Sequence, residues 1–171
     1  MYEIKIRLSV EEVLLAAHDG LPDAETRVQL TVDPLTPPLI ADAAQLERVF
    51  ANLIENALRY AGGQPVSVSA RRIGSRVVVR VSDHGPGIPE REHERVFEPF
   101  YRGAGTGRIP GSGLGLAIAR GFVEANGGAI TVESLPGQGT SLVVSFPVGA
   151  APAAALGVAP SPAGEGAGAA S

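Results

Sequence analysis

The chain has 171 residues, of which 44% are hydrophobic and 19% charged, with a formal net charge of −4; this suits one globular domain with a real core. It has no cysteine, which excludes a disulfide scaffold, a thiolate zinc site and a cysteine nucleophile, and its acidic balance argues against a nucleic-acid binder that relies on bulk positive charge. No apolar run reaches the roughly 18 residues of a membrane span, and the first residues lack a signal-peptide stretch.

Residues 2–8 alternate and predict a strand. Ser9 then predicts a helix cap, with Glu12 as its capping-box partner. That helix carries Val13, Leu14 and Ala17 and breaks near Gly20-Leu21-Pro22. Residues 26–32 predict a second strand, and Pro34, Pro37 and Pro38 a stiff connection. Asp42 caps the strongest helix, whose stripe is Leu46, Val49, Phe50, Leu53, Ile54, Ala57 and Leu58. Gly62-Gly63 ends it. Residues 65–70 and 75–82 predict a hairpin of strands. Residues 114–126 predict a helix with Leu114, Ala117, Ile118, Phe122 and Ala125 on one face. Residues 129–134 and 140–146 predict strands joined by Pro136-Gly137-Gln138-Gly139. The mixture suggests a mostly antiparallel sheet covered on one face by helices.

Glycine and proline make up about a fifth of the chain, and they cluster. Residues 149–171 are almost wholly Ala, Gly, Pro and Ser. Such a tail cannot repay its ordering entropy and predicts disorder, so the folded unit is residues 1–148. A second cluster runs through residues 83–115, where function is expected.

Four segments carry chemistry. Asn52, Asn56 and Arg59 share one side of the strong helix at spacings of four and three. Uncharged amides so placed can offer carbonyl oxygens to a hard cation such as Mg²⁺, and the arginine can reach a phosphate; the same residues also fit a solvated helix edge. Asp83-His84-Gly85-Pro86-Gly87-Ile88 follows a strand. There a carboxylate can accept a hydrogen bond from an exocyclic amine while glycines admit a flat ligand; an ordinary turn has the same composition. Gly111-Ser112-Gly113-Leu114-Gly115-Leu116 opens a helix whose amides favour anionic phosphate. Phe97-Glu98-Pro99-Phe100-Tyr101-Arg102 leads into Gly103, Gly105 and Gly107, as a lid pinned by Phe97 and Phe100, both expected in the core.

In order and spacing these segments resemble the ATP-binding catalytic domain of bacterial sensor histidine kinases, within the superfamily shared with gyrase, mismatch-repair and heat-shock-chaperone ATPases. Asn52 to Ala57 is similar to the N box, Asp83 to Gly87 to the first glycine box, Phe97 to Arg102 to the F box, and Gly111 to Gly115 to the second glycine box. Gly139-Thr140 is similar to the closing strand motif. The resemblance covers about residues 3–147.

The resemblance implies a two-layer α/β sandwich of the α+β class with a glycine-rich ATP lid. It implies that Asn56 holds Mg²⁺ on ATP with Asn52 in support, that Arg59 contacts phosphate and that Tyr60 flanks the nucleotide. Asp83 would read the adenine amine with Thr140 in support, and Gly85, Gly87 and Ile88 would line the base pocket. Phe100, Arg102, Gly111, Gly113, Leu114 and Gly115 would complete the nucleotide site. ATPase branches carry a glutamate one turn before the metal-binding Asn; here that position is Asn52, and Glu55 points about 100° from Asn56. Phosphoryl transfer to an outside nucleophile fits better than water activation.

The implied enzyme is a protein-histidine kinase catalytic domain whose partners are a phosphoacceptor histidine hairpin and a response regulator. It would lie in the cytoplasm, with no membrane insertion of this chain, below a membrane-anchored parent. None of His18, His84 and His93 fits the acceptor. His18 is expected at a helix end, and solvated roles are expected for the other two. No hairpin fits before residue 8, so an isolated module or a fragment is expected. The runs Glu94 to Gly103 and Ala119 to Gly128 are similar to potassium-sensing, Kdp-type kinases. Two alternatives stay open: an anti-sigma-factor-type serine/threonine kinase, and a non-catalytic ATP-binding interaction module. The lone lysine, Lys5, lies in neither a P-loop nor a eukaryotic-kinase strand context, so phosphates must be held by other means.

Overall fold

The computed structural model describes residues 4–103, 109 and 111–149. The predicted disordered tail, apart from residue 149, and lid residues Gly105 and Gly107 lie outside the described residues.

Two hairpins, a closing strand pair and three long helices set the architecture. Strand β1 (Lys5–Leu8) leads to α1 (Val10–Asp19), the short α2 (Ala24–Arg27), β2 (Val28–Val32) and β3 (Leu39–Asp42). The long α3 (Ala43–Tyr60), β4 (Val66–Ile73), β5 (Arg76–Asp83), α4 (Gly115–Ala125), β6 (Ala129–Ser134) and β7 (Thr140–Pro147) follow. The main sheet runs β2-β4-β5-β7-β6, and β1 pairs with β3 in a separate ribbon. Among the described residues only the β2–β4 pair is parallel.

The pleat explains the layering. Val66, Val68 and Ala70 of β4 are buried while Ser67, Ser69 and Arg71 between them are exposed. Val77, Val79 and Val81 of β5 and Leu142, Val144 and Phe146 of β7 face the same way. Against them lie Leu14 of α1, Leu46, Val49, Phe50, Leu53 and Ile54 of α3, and Ala119 and Val123 of α4. This is a two-layer sandwich with one solvated sheet face.

The caps sit where the sequence predicts them. Ser9 Oγ accepts from Glu12 N at 3.4 Å, and Asp42 Oδ1 accepts from Gln45 N at 3.0 Å. The Asp42 cap is itself held from outside. Asn126, at the end of α4, accepts from Asp42 N at 2.9 Å. Its amide nitrogen donates to Gln45 Oε1 and to Phe122 O, both at 2.8 Å. One buried amide thus ties the end of α4 to the start of α3.

Three expectations need correction. The proline-rich connection hides β3, which pairs Leu39 with Leu8 and Asp42 with Lys5. Its strand character comes from that partner, not from a local pattern. Residues 26 and 27 belong to α2, so the second strand starts at Val28. The buried face of α4 is Ala119 and Val123, with Leu116 and Phe122 packed beside it, whereas Ile118 and Ala125 are exposed.

Asn126→Ala removes three hydrogen bonds and leaves the Asp42 amide without its partner. A loss of about 2–4 kcal/mol is expected, read as a lower urea midpoint with an unchanged slope.

Candidate functional site

The end of α3 and the ends of β5 and β7 frame a cavity of about 560 Å³, within the size range of small-molecule sites. Arg48, Asn52, Glu55, Asn56, Arg59 and Tyr60 line it from α3. They recur at the helical period beside the buried stripe. Asn52 is only 6% exposed, and its Nδ2 donates to Gly115 O at 3.1 Å. Asn56, one turn on, faces the cavity. Arg59 contacts Glu55 Oε1 at 3.4 Å, and Gly111 sits against its guanidinium.

Asp83, the last residue of β5, lies directly opposite Thr140 of β7. Both are buried and both line the cavity. Asp83 Oδ1 accepts from Gly85 N at 2.8 Å. Burial pushes the Asp83 carboxyl above its ordinary value, against the lowering effect of the Gly85 and Thr140 backbone amides and of His84.

The glycine segment after Asp83 is held from behind by the β6–β7 turn. Gly87 has φ +78°, and a Cβ there would overlap the Leu135 carbonyl, so no other residue fits. Gly137 N donates to Pro86 O at 2.7 Å, and Ile88 N donates to Ser134 Oγ at 2.7 Å. Gly87 and Ile88 line the cavity; Gly85 stands behind, supporting Asp83. His93 is not simply solvated, since its Nε2 lies 3.0 Å from Ile88 O. His84 is exposed, as expected, and His18 is at the end of α1 beside Asp19 at 3.1 Å.

The remaining wall comes from Tyr101, Arg102, Gly103, Ile109 and the run Gly111 to Leu116. Phe97 is buried, with the Arg120 guanidinium 5.2 Å from its ring centre. Phe100 corrects the expectation: it is 73% exposed and does not line the cavity. Its backbone, not its ring, reaches the cavity-lining residues. At φ +64° its N–H donates to Gly113 O at 2.9 Å, so the neck of the lid segment is closed by the main chain. Gly113 has φ +73°, and a Cβ there would press on the Phe100 backbone at 2.9 Å. Arg102 donates to Ile109 O. Helix α4 starts at Gly115 with no side-chain cap, leaving its first-turn amides to the cavity end.

Arg48, Glu92 and Ser134 are among the lining or supporting residues that escape the sequence reading. Arg48 lies one turn before Asn52 in the same row, which is the signal that finds it. Glu92 is buried on the cavity wall within a run of charges that marks nothing. Ser134 depends on strand pairing.

The family model for the histidine kinase-, DNA gyrase B-, and HSP90-like ATPase matches residues 41–150. This chain belongs to that family. It is similar to Sensor protein KdpD of Rathayibacter rathayi, 40% identical over 147 residues, 86% of this chain and 17% of the relative. It is also 49% identical over 107 residues to Sensor protein KdpD of Mycobacterium tuberculosis strain H37Rv, covering 63% of this chain and 12% of the relative. Its fold matches the mycobacterial sensor histidine kinase MprB with a TM-score of 0.73 at 30% identity, covering 84% of this chain and 97% of that one. Full-length ShkA in complex with AMPPNP matches at 0.73 and 29% identity, covering 86% of this chain and 32% of that one. The domain is thus an ATP-binding catalytic domain of the sensor-histidine-kinase type, and it spans less than a fifth of these KdpD relatives. Among the described residues no helix is long and apolar enough to cross a membrane.

The raised Asp83 carboxyl fixes the sign of a stability effect. The folded state holds this proton more tightly than the unfolded state does. Its stabilising contribution is therefore full below the unfolded value, about 3.9, and is lost as pH rises through the folded value. Asp83→Asn is expected to melt above the wild type at pH 7–8, with the gap closing below about pH 4. Calorimetric scans across that range check it.

Proposed function

We propose that this domain binds Mg·ATP and donates the γ-phosphoryl group to a histidine on a partner helical hairpin, from which a response regulator is served. The observation that carries this is one cavity with two chemically different ends. At one end stand Asp83 and Thr140, buried and polar. Toward the other stand Asn52, Asn56, Arg48, Arg102 and the uncapped start of α4. The first end suits a base with an exocyclic amine, with Asp83 accepting its N–H and Ile88 and Gly87 beside the ring. The second suits phosphates, with backbone amides and guanidinium groups as donors.

The donor set fits magnesium. Among the described residues no group of three or more His, Asp or Glu is gathered, and Mg²⁺ typically takes one or two protein oxygens, completing its shell with phosphates and water. Asn56 Oδ1 would hold it, and the bound ion supplies neutralisation of charge on the phosphates.

The residues beside Asn56 favour transfer over hydrolysis. A water-activating base needs a free carboxylate. Asn52 is an amide that donates to Gly115, and the Glu55 carboxylate is engaged by Arg59. The domain therefore positions ATP and leaves the nucleophile to the partner. Because it consumes ATP, we place it on the cytoplasmic side, and the KdpD similarity makes a potassium-sensing type of parent kinase our working assignment.

The test is transfer from labelled ATP to a sensor-kinase hairpin supplied in trans, with acid-labile label expected on it. Asn56→Ala should slow transfer on the order of a hundredfold or more. Asp83→Asn should weaken ATP binding by calorimetry on the order of tenfold or more. Acid-stable label, or wild-type rates in both variants, would refute the assignment.

A further inference from the structure

Three polar side chains form a row across the sheet at the base end of the cavity. Ser134 is opposite Thr140 in the β6–β7 pair, and Thr140 is opposite Asp83 in the β7–β5 pair. Directly opposed residues share one face of the sheet.

Ser134 is the hub of this row. Its Oγ donates to Gly139 O at 2.7 Å, accepts from Ile88 N at 2.7 Å and lies 3.0 Å from Thr140 Oγ1. A serine hydroxyl has one proton and two lone pairs. The proton is committed to Gly139, so Thr140 must be the donor in the third contact. The single hydroxyl proton of Thr140 is then directed at Ser134, and only its lone-pair side is left for the cavity. The neighbouring Asp83 carboxylate, when ionised, is also acceptor-only. Asp83 and Thr140 together therefore offer acceptors and no donor.

We infer that Ser134 is a specificity-positioning residue: by holding the Thr140 hydroxyl as an acceptor, it makes the base end select a 6-amino purine over a 6-oxo purine. An amino group brings two N–H donors to this pair. A carbonyl oxygen there would face two acceptors and find no partner, and a site built to hydrogen-bond one group strongly rejects the analogue that cannot pair. The inference rests on the ATP-binding reading above and deepens it. It gives a part in the choice of base to a serine outside the cavity lining, through the orientation of the Thr140 hydroxyl.

Inosine triphosphate carries a carbonyl in place of the 6-amino group and an N–H in place of the N1 acceptor. Both changes are common to the wild type and every variant, so the shift between variants in the ratio of its Kd to that of ATP reads the effect of the Thr140 hydroxyl. Calorimetry on the wild type and on Ser134→Ala, Ser134→Thr and Thr140→Val measures it. In Ser134→Ala the Thr140 hydroxyl is free to turn and donate, and the ratio should fall about tenfold, equivalent to about 1.4 kcal/mol. Ser134→Thr keeps a hydroxyl and should retain the wild-type ratio. Thr140→Val should weaken ATP more than inosine triphosphate, which also lowers the ratio and does not depend on Ser134→Ala folding. Equal weakening of both nucleotides in Ser134→Ala, or an unchanged ratio in Thr140→Val, would overturn the inference and reduce Ser134 to a clamp on Ile88. A wild type that binds neither nucleotide would overturn the ATP-binding reading itself, a result distinct from an unchanged ratio.

Discussion

The rotational setting of α3 is the constraint on which the site depends. Leu46, Val49, Phe50, Leu53, Ile54 and Ala57 are all buried against the sheet and the flanking helices. Arg48, Asn52, Glu55 and Asn56 lie between them in sequence, Arg59 follows, and all five line the cavity. Neighbouring residues on a helix are about 100° apart, so the direction of Asn52 is fixed once Phe50 and Leu53 are seated. Each large apolar side chain on this face contributes about 1.5–3 kcal/mol. Turning the helix by one residue would move Leu53 toward the cavity and an amide toward the sheet. The core is therefore what aims the amides. Asn52 passes that setting on to α4 through its bond to Gly115, and Asn126 fixes the opposite ends of the same two helices.

The two ends of the cavity are built by different means. The base end is assembled from strands and a turn. Asp83, Thr140 and Ser134 are in register across β5, β7 and β6, and the β6–β7 turn presses on Gly87 and holds Pro86 and Ile88 by hydrogen bonds. Its cost is the burial of Asp83, only partly offset by the Gly85 and Thr140 amides. A ligand N–H that reaches this carboxylate recovers part of that cost, so the position that lowers stability is also the one poised for binding. The other end is assembled from the start of α4 and the flanking residues Tyr101 to Gly103 and Gly111 to Leu114, where the Phe100 N–H donates to Gly113 O. In the proposed function the strand-built end would take the base and the end at the start of α4 would take the phosphates.

The parts legible in the sequence are those whose signal is local. The stripe and caps of α3, the β4–β5 hairpin and the β6–β7 pair follow from periodicity, Asp42 and the intervening glycines. Strand β3 was hidden because Pro37 and Pro38 read as a connection, while its pairing with β1 is decided some 30 residues away. The α4 face departs from its apolar pattern because Ile118 is apolar but belongs to the cavity wall, so hydrophobicity serves the site there and not the core. Phe100 was expected in the core for the same reason of composition, yet its positive φ turns the side chain outward and leaves its amide to close the lid neck. Asn52, Asn56, Arg59, Asp83 and Thr140 were within reach because each stands on a regular element of known direction. Ser134 was not, because its importance lies in which proton goes where among residues joined only by pairing.

The scarcity of lysine is consistent with how this cavity handles charge. Its cations are Arg48, Arg59 and Arg102, and its anions are Glu55, Asp83 and Glu92. Arg59 is already engaged by Glu55. A lysine in its place would act as a compact, strongly hydrated point charge. A guanidinium presents five N–H donors in a planar fork, so it can keep Glu55 and still offer donors to a phosphate. The same pairing occupies the carboxylate of Glu55, the residue adjacent to Asn56. Under the proposed function, arginine at position 59 would therefore serve two ends at once: it would add a phosphate donor and occupy the Glu55 carboxylate. In the proposed function this ion pair, set in place by the apolar face behind it, and the amide at Asn52 together disfavour water as the nucleophile.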